Sequence, residues 1–320
     1  MDYIPFGRTG LTVSVAGLGC GGSSRLGAGR GKSEDHSIAL VLKAFDLGVT
    51  LFDTAQAYGT EPIVGKAVAQ LPRDQLVIST KMKAMPDGKL LSSEDVVASV
   101  DMSLRALQTD YIDVFNLHSL GIAEYDDVVD QIVPVLLRER EKGKIRFLGA
   151  TESGPRDHEH KMLARAVPNG PFEVIALAYN MMNQSAHREI LPQCAQNGIG
   201  SMIMFAVRAV FSVPGRLKHD VDQLVAAGEL PQWMSETENP LEFLLHPNGA
   251  ASIIDAAYRY VRHKECTDVI LFGTSDPEHL EANIESLLRP SLPSADIQRL
   301  ETLFSDLIGF GADAPAHSQQ

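Results

Sequence analysis

Apolar residues in this chain alternate between two rhythms. Short runs rich in β-branched and aromatic residues recur, among them VAGL at 15–18, VTLF at 49–52, LVIST at 76–80 and YIDVFNL at 111–117. KIRFLGA, FEVIALAYN, IGSMIMFAV and DVILF continue the series, and each reads as a buried strand. Between them, apolar residues fall at helical spacing, as at Ile38, Val41, Leu42 and Phe45. Ser33 with Glu34 and Asp35 marks the start of that helix, and Gly48 its end. Further helices are expected over Glu61–Gln70, after Ser93 to Leu107, and over 126–142, 158–166, 187–197, 252–263, 277–288 and 295–307. Ahead of the first repeat, Tyr3–Phe6 and Leu11–Val13 flank Gly7–Gly10 and predict a hairpin.

Near-continuous apolar strands, each returning through a helix, demand a parallel sheet covered on its outside. The expectation is an α/β fold, a (β/α)8 TIM barrel with an N-terminal β-hairpin, as one domain over residues 1–310. A doubly wound open sheet is the alternative, but GCGGSSRLG after the first strand is not GxGxxG with a prompt helix. The rhythm breaks between Arg208 and Ala250, where Pro214, Pro231, Pro240 and Pro247 predict a long loop after the seventh barrel strand. The tail at 311–320, GADAPAHSQQ, has nothing in it to pack.

Composition narrows the partners. The chain of 320 residues is 44% hydrophobic and 22% charged, with no apolar run of bilayer length. MDYIPFGRTG places an acid early and lacks the apolar core of a secretory signal, so a cytoplasmic location is expected. A net charge of -13 argues against nucleic acid or an anionic membrane as the main partner. Cys20, Cys194 and Cys266 show no CxxC or metal-ligand spacing, which predicts reduced thiols and no metal.

Four ionisable residues stand at successive strand ends: Asp53 and Tyr58 in LFDTAQAYGTE, Lys81 in VISTK, and His118 in VFNLH. Singly, each has a bland reading as a helix cap, a rim aromatic, a solvated lysine or a core histidine. Together they fit hydride transfer to a carbonyl. The oxygen that gains charge needs a proton donor, and a free phenol, with a pKa of about 10, is a poor acid near neutrality. An adjacent ammonium lowers that value, and a carboxylate keeps the ammonium charged and fixed. An imidazole can orient the carbonyl by a hydrogen bond and relay a proton. Tyr58 is therefore expected as the acid, Lys81 and Asp53 as its tuning pair, and His118 as the orienting donor.

These residues lie in FDTAQAYGTEPIVG, VISTK, SLRALQTDYIDVFNLH, EKGKIRFLGA and LFGTSDPEHLEANI, and through these motifs the chain resembles the aldo-keto reductases. The resemblance runs from FGRTGLTVS to about residue 283. It implies a barrel that binds NADP or NAD across its rim without a Rossmann domain, and the tetrad Asp53, Tyr58, Lys81 and His118. The family typically holds the nicotinamide carboxamide with Ser-Asn after strand five and Gln in strand six; here Thr151 and Glu152 are expected to meet the amide in place of the first two, while Ala176 removes the glutamine contact. Asn180 is expected at the rim, and Phe205 as the ring-stacking aromatic. Gly273, Thr274, Ser275 and Asn283 should wrap the adenosine phosphates, with His279 where many NADP-preferring members carry a basic residue and Arg208 as a compensating cation. NADP is the leading cofactor on this resemblance and NAD the other.

Phe211, Trp233 and Phe243 are candidates for an apolar substrate pocket, or else pack the long insert onto the barrel. The leading function is reduction of an aldehyde or ketone by NADPH, reversible as alcohol oxidation, by a monomer or small homo-oligomer acting on a small molecule. The alternatives are an NAD-dependent sugar (aldose) dehydrogenase and a non-catalytic, cofactor-sensing subunit.

Overall fold

The computed structural model describes residues 1–311. Strands β1 (Tyr3–Pro5) and β2 (Thr12–Ser14) form the antiparallel hairpin, with Tyr3 opposite Ser14. Eight parallel strands follow: β3 (Ala16–Gly19), β4 (Leu51–Asp53), β5 (Val77–Met82), β6 (Ile112–Leu117), β7 (Ile145–Thr151), β8 (Val174–Ala178), β9 (Gly200–Met204) and β10 (Val269–Phe272). They pair in sequence order, and β10 closes the cylinder on β3. The fold is the expected (β/α)8 barrel with its N-terminal hairpin.

Strand alternation sorts the side chains into two cores. Outward-facing residues pack under the helices with Leu40, Val64, Val100, Leu136 and Leu163. Inward, Leu51, Val77, Val114, Val174, Met202 and Val269 fill the lower barrel, and Phe6, Leu11 and Val13 of the hairpin seal its N-terminal end. That seal needs a close backbone approach. Gly7 has φ +50°, and a Cβ there would lie 2.3 Å from the Gly200 amide nitrogen. Arg8 completes it by donating to the carbonyls of Asn197 and Phe172, each at 3.1 Å.

Two residues further along the same inward faces the chemistry changes. Leu51 is followed by Asp53, Val77 by Ser79 and Lys81, and Val114 by Asn116 and His118. The barrel is apolar below and polar at the carboxyl ends of β4, β5 and β6.

Several elements differ in extent from the expectation. The helix expected over 126–142 is two, Tyr125–Gln131 and Val133–Glu141, divided ahead of Pro134. The one over 187–197 likewise divides into Ser185–Glu189 and Leu191–Asn197 ahead of Pro192. Proline has no N–H for the preceding turn and its ring opposes the carbonyl there. The helix expected over 158–166 runs Lys161–Asn169, and Ser92 rather than Ser93 caps Ser93–Leu107, in a capping box with Asp95. The long insert carries helices Ala209–Ser212 and Arg216–Ala226. The tail at 312–320 lies outside the described residues. Among those described, no helix is long and apolar enough to cross a membrane, and no cluster of His, Cys, Asp and Glu is fit to hold a metal.

Candidate active site

The turn that carries Tyr58 leaves β4 directly after Asp53 and is clamped on three sides. Gln56 donates to the Ser99 carbonyl at 3.0 Å and to Ser103 Oγ at 2.9 Å, both on helix Ser93–Leu107. The hydroxyls of Thr54 and Thr60 meet at 2.9 Å, and Thr60 donates to the Cys20 carbonyl at 3.0 Å. Beneath the phenol lies Gly21, where a Cβ would fall 2.5 Å from the Tyr58 ring. Buried Glu61 accepts from Thr80 Oγ1 at 2.6 Å, and burial pushes its carboxyl above the usual range. Hydrogen bonds and the missing side chain at position 21 together fix where the phenol points.

Lys81 is 1% exposed and Asp53 4%. Lys81 Nζ donates to Asp53 Oδ2 at 2.6 Å and to the Thr54 carbonyl at 2.8 Å, and lies 5.2 Å from the Tyr58 ring centroid. The Tyr58 and His118 rings meet edge to face at 5.5 Å. All four residues of the expected tetrad converge. Beneath them runs a buried polar chain that the sequence reading did not single out. Asn116 Nδ2 donates to Ser79 Oγ at 2.9 Å and to the Thr80 carbonyl at 3.0 Å, and Ser79 Oγ donates to Asp53 Oδ1 at 2.8 Å. The available signal was strand periodicity, since Ser79 and Asn116 precede Lys81 and His118 by two positions.

Burial and charge oppose one another at each group. Burial pulls the Lys81 ammonium down, but Asp53 and Tyr58 outweigh it and hold the lysine above its ordinary value. For Tyr58 the balance corrects the expectation of an unusually acidic phenol. Burial raises its pKa more than Lys81 lowers it, leaving the phenol a weaker acid than usual. His118 is pushed down to about 3, first by burial and then by the charges of Lys81 and Lys83. Its imidazole is therefore neutral, and Nδ1 is buried without a hydrogen-bond partner.

Asp53 and Tyr58 form the inner wall of a cleft of about 1520 Å3. One side is the glycine-rich loop after β3, with Ser23, Ser24 and Arg30; the other is the loop after β10, Gly273–Asp276, with His279 and Asn283 of helix Pro277–Leu288. Phe205, Arg208 and Arg216 close it beyond β9. Of the residues expected at the cofactor, Phe205, Arg208, Gly273, Thr274, Ser275, His279 and Asn283 thus share one cleft. Phe205 holds φ +68°, and the Arg208 guanidinium lies over its ring at 4.3 Å. Thr274 Oγ1 accepts from the Asp276 amide at 3.0 Å, and Asp276 accepts from the amide of Glu278 at 2.7 Å, capping the helix.

Six candidates go elsewhere. Thr151 Oγ1 accepts from the Ser119 amide at 2.8 Å. Glu152 is buried with both oxygens engaged, by the Ala178 amide at 2.6 Å and by His160 Nδ1 at 2.7 Å, while His160 Nε2 lies 2.8 Å from Ser185 Oγ. Asn180 Oδ1 accepts from the amides of Met182 and Asn183 and so holds the turn after β8. Phe211 is buried in the core under the helices. Trp233 and Phe243 pack on Arg299 of helix Ser294–Phe304, at 5.0 and 4.1 Å. The apolar wall expected of these aromatics belongs to the attachment of the insert.

The model of the aldo/keto reductase family matches residues 18–304. This chain belongs to that family. Among its aldo/keto reductase relatives, L-galactose dehydrogenase of Arabidopsis thaliana is 34% identical over 200 residues, 61% of each chain. NADH-specific methylglyoxal reductase of Escherichia coli (strain K12) is 31% identical over 220 residues, 62% of this chain and 65% of that one. The matched stretch thus spans under two thirds of the length of these curated relatives. The fold is shared end to end with the holo form of aldo-keto reductase AKR11C1 from Bacillus halodurans, at a TM-score of 0.71 and 21% identity over 100% of both chains.

Proposed function

We propose that this chain is an NAD(P)-dependent oxidoreductase that interconverts an aldehyde or ketone with its alcohol, with Tyr58 giving up the proton. One observation carries the reading. A single buried ammonium, Lys81, is held by Asp53 at 2.6 Å and lies 5.2 Å from the Tyr58 ring centroid, at the wall of a nucleotide-sized cleft.

A nicotinamide nucleotide suits the chemistry of that cleft. Arg30, Arg208 and Arg216 offer charge to a pyrophosphate, and the Phe205 ring offers a π-face. When bound, the nucleotide supplies or accepts the hydride. The protein's part is the proton and the field. Tyr58 is protonated at neutral pH as any phenol is, and burial, which outweighs Lys81, favours that state further. That proton is still acidic enough, since an alkoxide is a far stronger base than a phenolate. The phenolate left behind faces the Lys81 ammonium, which is fixed in advance and needs no reorganisation. His118, neutral with its pKa near 3, donates an N–H hydrogen bond to the carbonyl and has no imidazolium proton to relay near neutrality.

For the nucleotide, the loop after β10 supports NADH over the NADPH expected from the resemblance. Asp276 lines the cleft, and the backbone N–H groups of Glu278 and His279 hold its carboxyl below the usual range. A fixed carboxylate opposes a 2′-phosphate and suits a ribose hydroxyl. The relative named as NADH-specific supports the same direction. The aldose dehydrogenase reading also gains support, because Phe211, Trp233 and Phe243 do not make an apolar wall and L-galactose dehydrogenase is among the relatives.

The test is Tyr58→Phe, assayed in both directions with a panel of aldehydes, ketones and aldoses. Loss of at least about 100-fold in turnover is expected, with the nucleotide Kd, measured by calorimetry, within about twofold. Normal turnover would remove Tyr58 from the acid role.

A further inference from the structure

Two buried hydroxyls in the wall of the cleft have nothing to bond. Tyr258 is 3% exposed and Ser286 8%, and both line the cleft. Among the described residues neither side chain has a hydrogen-bond partner. The hydroxyl of Tyr179 is unpaired as well, but it is sealed in the core, and those of Tyr258 and Ser286 are not. Burial alone pushes the Tyr258 phenol up, with no charge or bonded group to offset it. A hydroxyl that gives up water and gains no partner is costly, and one that opens on a cleft is placed for a polar atom of a ligand.

The two residues sit on neighbouring helices. Helix Ile253–Arg262 leads into β10 and Pro277–Leu288 leaves it, so both run down from the carboxyl rim, packed side by side. Their caps, Ser252 and Asp276, both line the cleft. Below the caps, Ile254 and Tyr258 are four positions apart on the first helix, and His279, Ala282, Asn283 and Ser286 follow at steps of three and four on the second. Each of these residues lines the cleft, which therefore continues downward as a slot between two helix faces. Ile254 and Ala282 give the slot apolar sides, and Tyr258, Asn283 and Ser286 give it polar atoms. Tyr258 lies in the second turn of its helix, level with Ala282 and Asn283 in the second turn of theirs, roughly 10 Å along the axis from Asp276. A ribose held at Asp276 brings its base to the mouth of this slot. A purine, flat and apolar on its faces with hydrogen-bonding groups on its edge, matches what lines it.

We propose that the slot takes the adenine of the nucleotide and that the Tyr258 hydroxyl bonds to the edge of the base, with Ser286 as a second contact. Both are specificity residues for the adenosine half and take no part in hydride or proton transfer. The proposal rests on the cleft holding a dinucleotide with its ribose at Asp276.

The experiment measures calorimetric Kd values for NADH and for ADP-ribose, which keeps the adenosine half and lacks the nicotinamide. Tyr258→Phe removes one oxygen and leaves the ring. It should raise the Kd of both ligands by about fivefold, the worth of one hydrogen bond, with kcat at saturating NADH within about twofold. Ser286→Ala should act in the same direction, and Ala282→Trp, which fills the slot, should weaken both ligands more than either. Unchanged NADH affinity in Tyr258→Phe overturns the proposal. So does a loss that ADP-ribose does not share, a loss of kcat as large as the loss of affinity, or an unaltered protein that ignores ADP-ribose. If the unaltered protein binds neither NADH nor NADPH, the nucleotide reading itself fails; tight NADH binding that is indifferent to Tyr258→Phe strikes only the assignment of the slot.

Discussion

Asp53 answers to two donors at once, Lys81 on one oxygen and Ser79 on the other. Asn116 occupies the lone pair through which Ser79 would otherwise accept, so the serine proton is left to the carboxylate. The same asparagine carries a cost, because its Oδ1 is buried without a partner. Asn116→Leu should therefore lower kcat by about tenfold through a loosened Asp53–Lys81 pair, while the melting temperature holds or rises. Steady-state kinetics and a thermal melt on the same sample check both halves; a fall in stability without a fall in kcat would make Asn116 purely structural. At this scale the sequence was informative where function needs an ionisable residue at a strand end. It was silent on Glu152, whose oxygens are claimed by His160 from an irregular loop and by the backbone of β8. No local pattern announces a partner brought in by such a loop.

Helices and loops decide what the cleft can read. Helix Pro277–Leu288 opens with a carboxylate at its cap and an imidazole in its first turn. A guanidinium in place of that imidazole would present a fork to a phosphate and offset Asp276. His279→Arg is expected to improve NADPH relative to NADH by about tenfold, measured as the ratio of calorimetric Kd values; an unmoved ratio would place the 2′-phosphate elsewhere. Element order and strand ends were legible because apolar periodicity is local. The breaks at Pro134 and Pro192 were present in the sequence as well, though the periodicity ran through them. The destination of Trp233 and Phe243 was not legible, since it depends on Arg299, more than fifty residues away in a different element.

Across the whole molecule, the two ends of the barrel have different duties. The polar residues at the carboxyl ends of β4–β6 gather behind Asp53 and Tyr58 at the wall of the cleft, and the opposite end is tied by ion pairs. Asp113 is fully buried near the start of β6, accepting from Arg73 at 2.7 Å, from Arg146 at 2.8 Å and from the Ile78 amide at 2.9 Å. Removing it strands that amide and two cations, although Arg146 is half-exposed and can turn to water. Asp113→Ala should cost about 2–3 kcal/mol in urea denaturation and leave kcat within about twofold. A large loss of turnover in protein that remains folded would contradict this division.

The hairpin at the base has a consequence for how the chain is made. Arg8 finds the Asn197 carbonyl 189 positions downstream. At synthesis rates of about 5–20 residues per second, that partner emerges roughly 10–40 s after the hairpin has left the ribosome. Throughout the interval Phe6, Leu11 and Val13 have no interior to enter, and they present an apolar surface to whatever attends the nascent chain. The hairpin is a stopper made well before its socket.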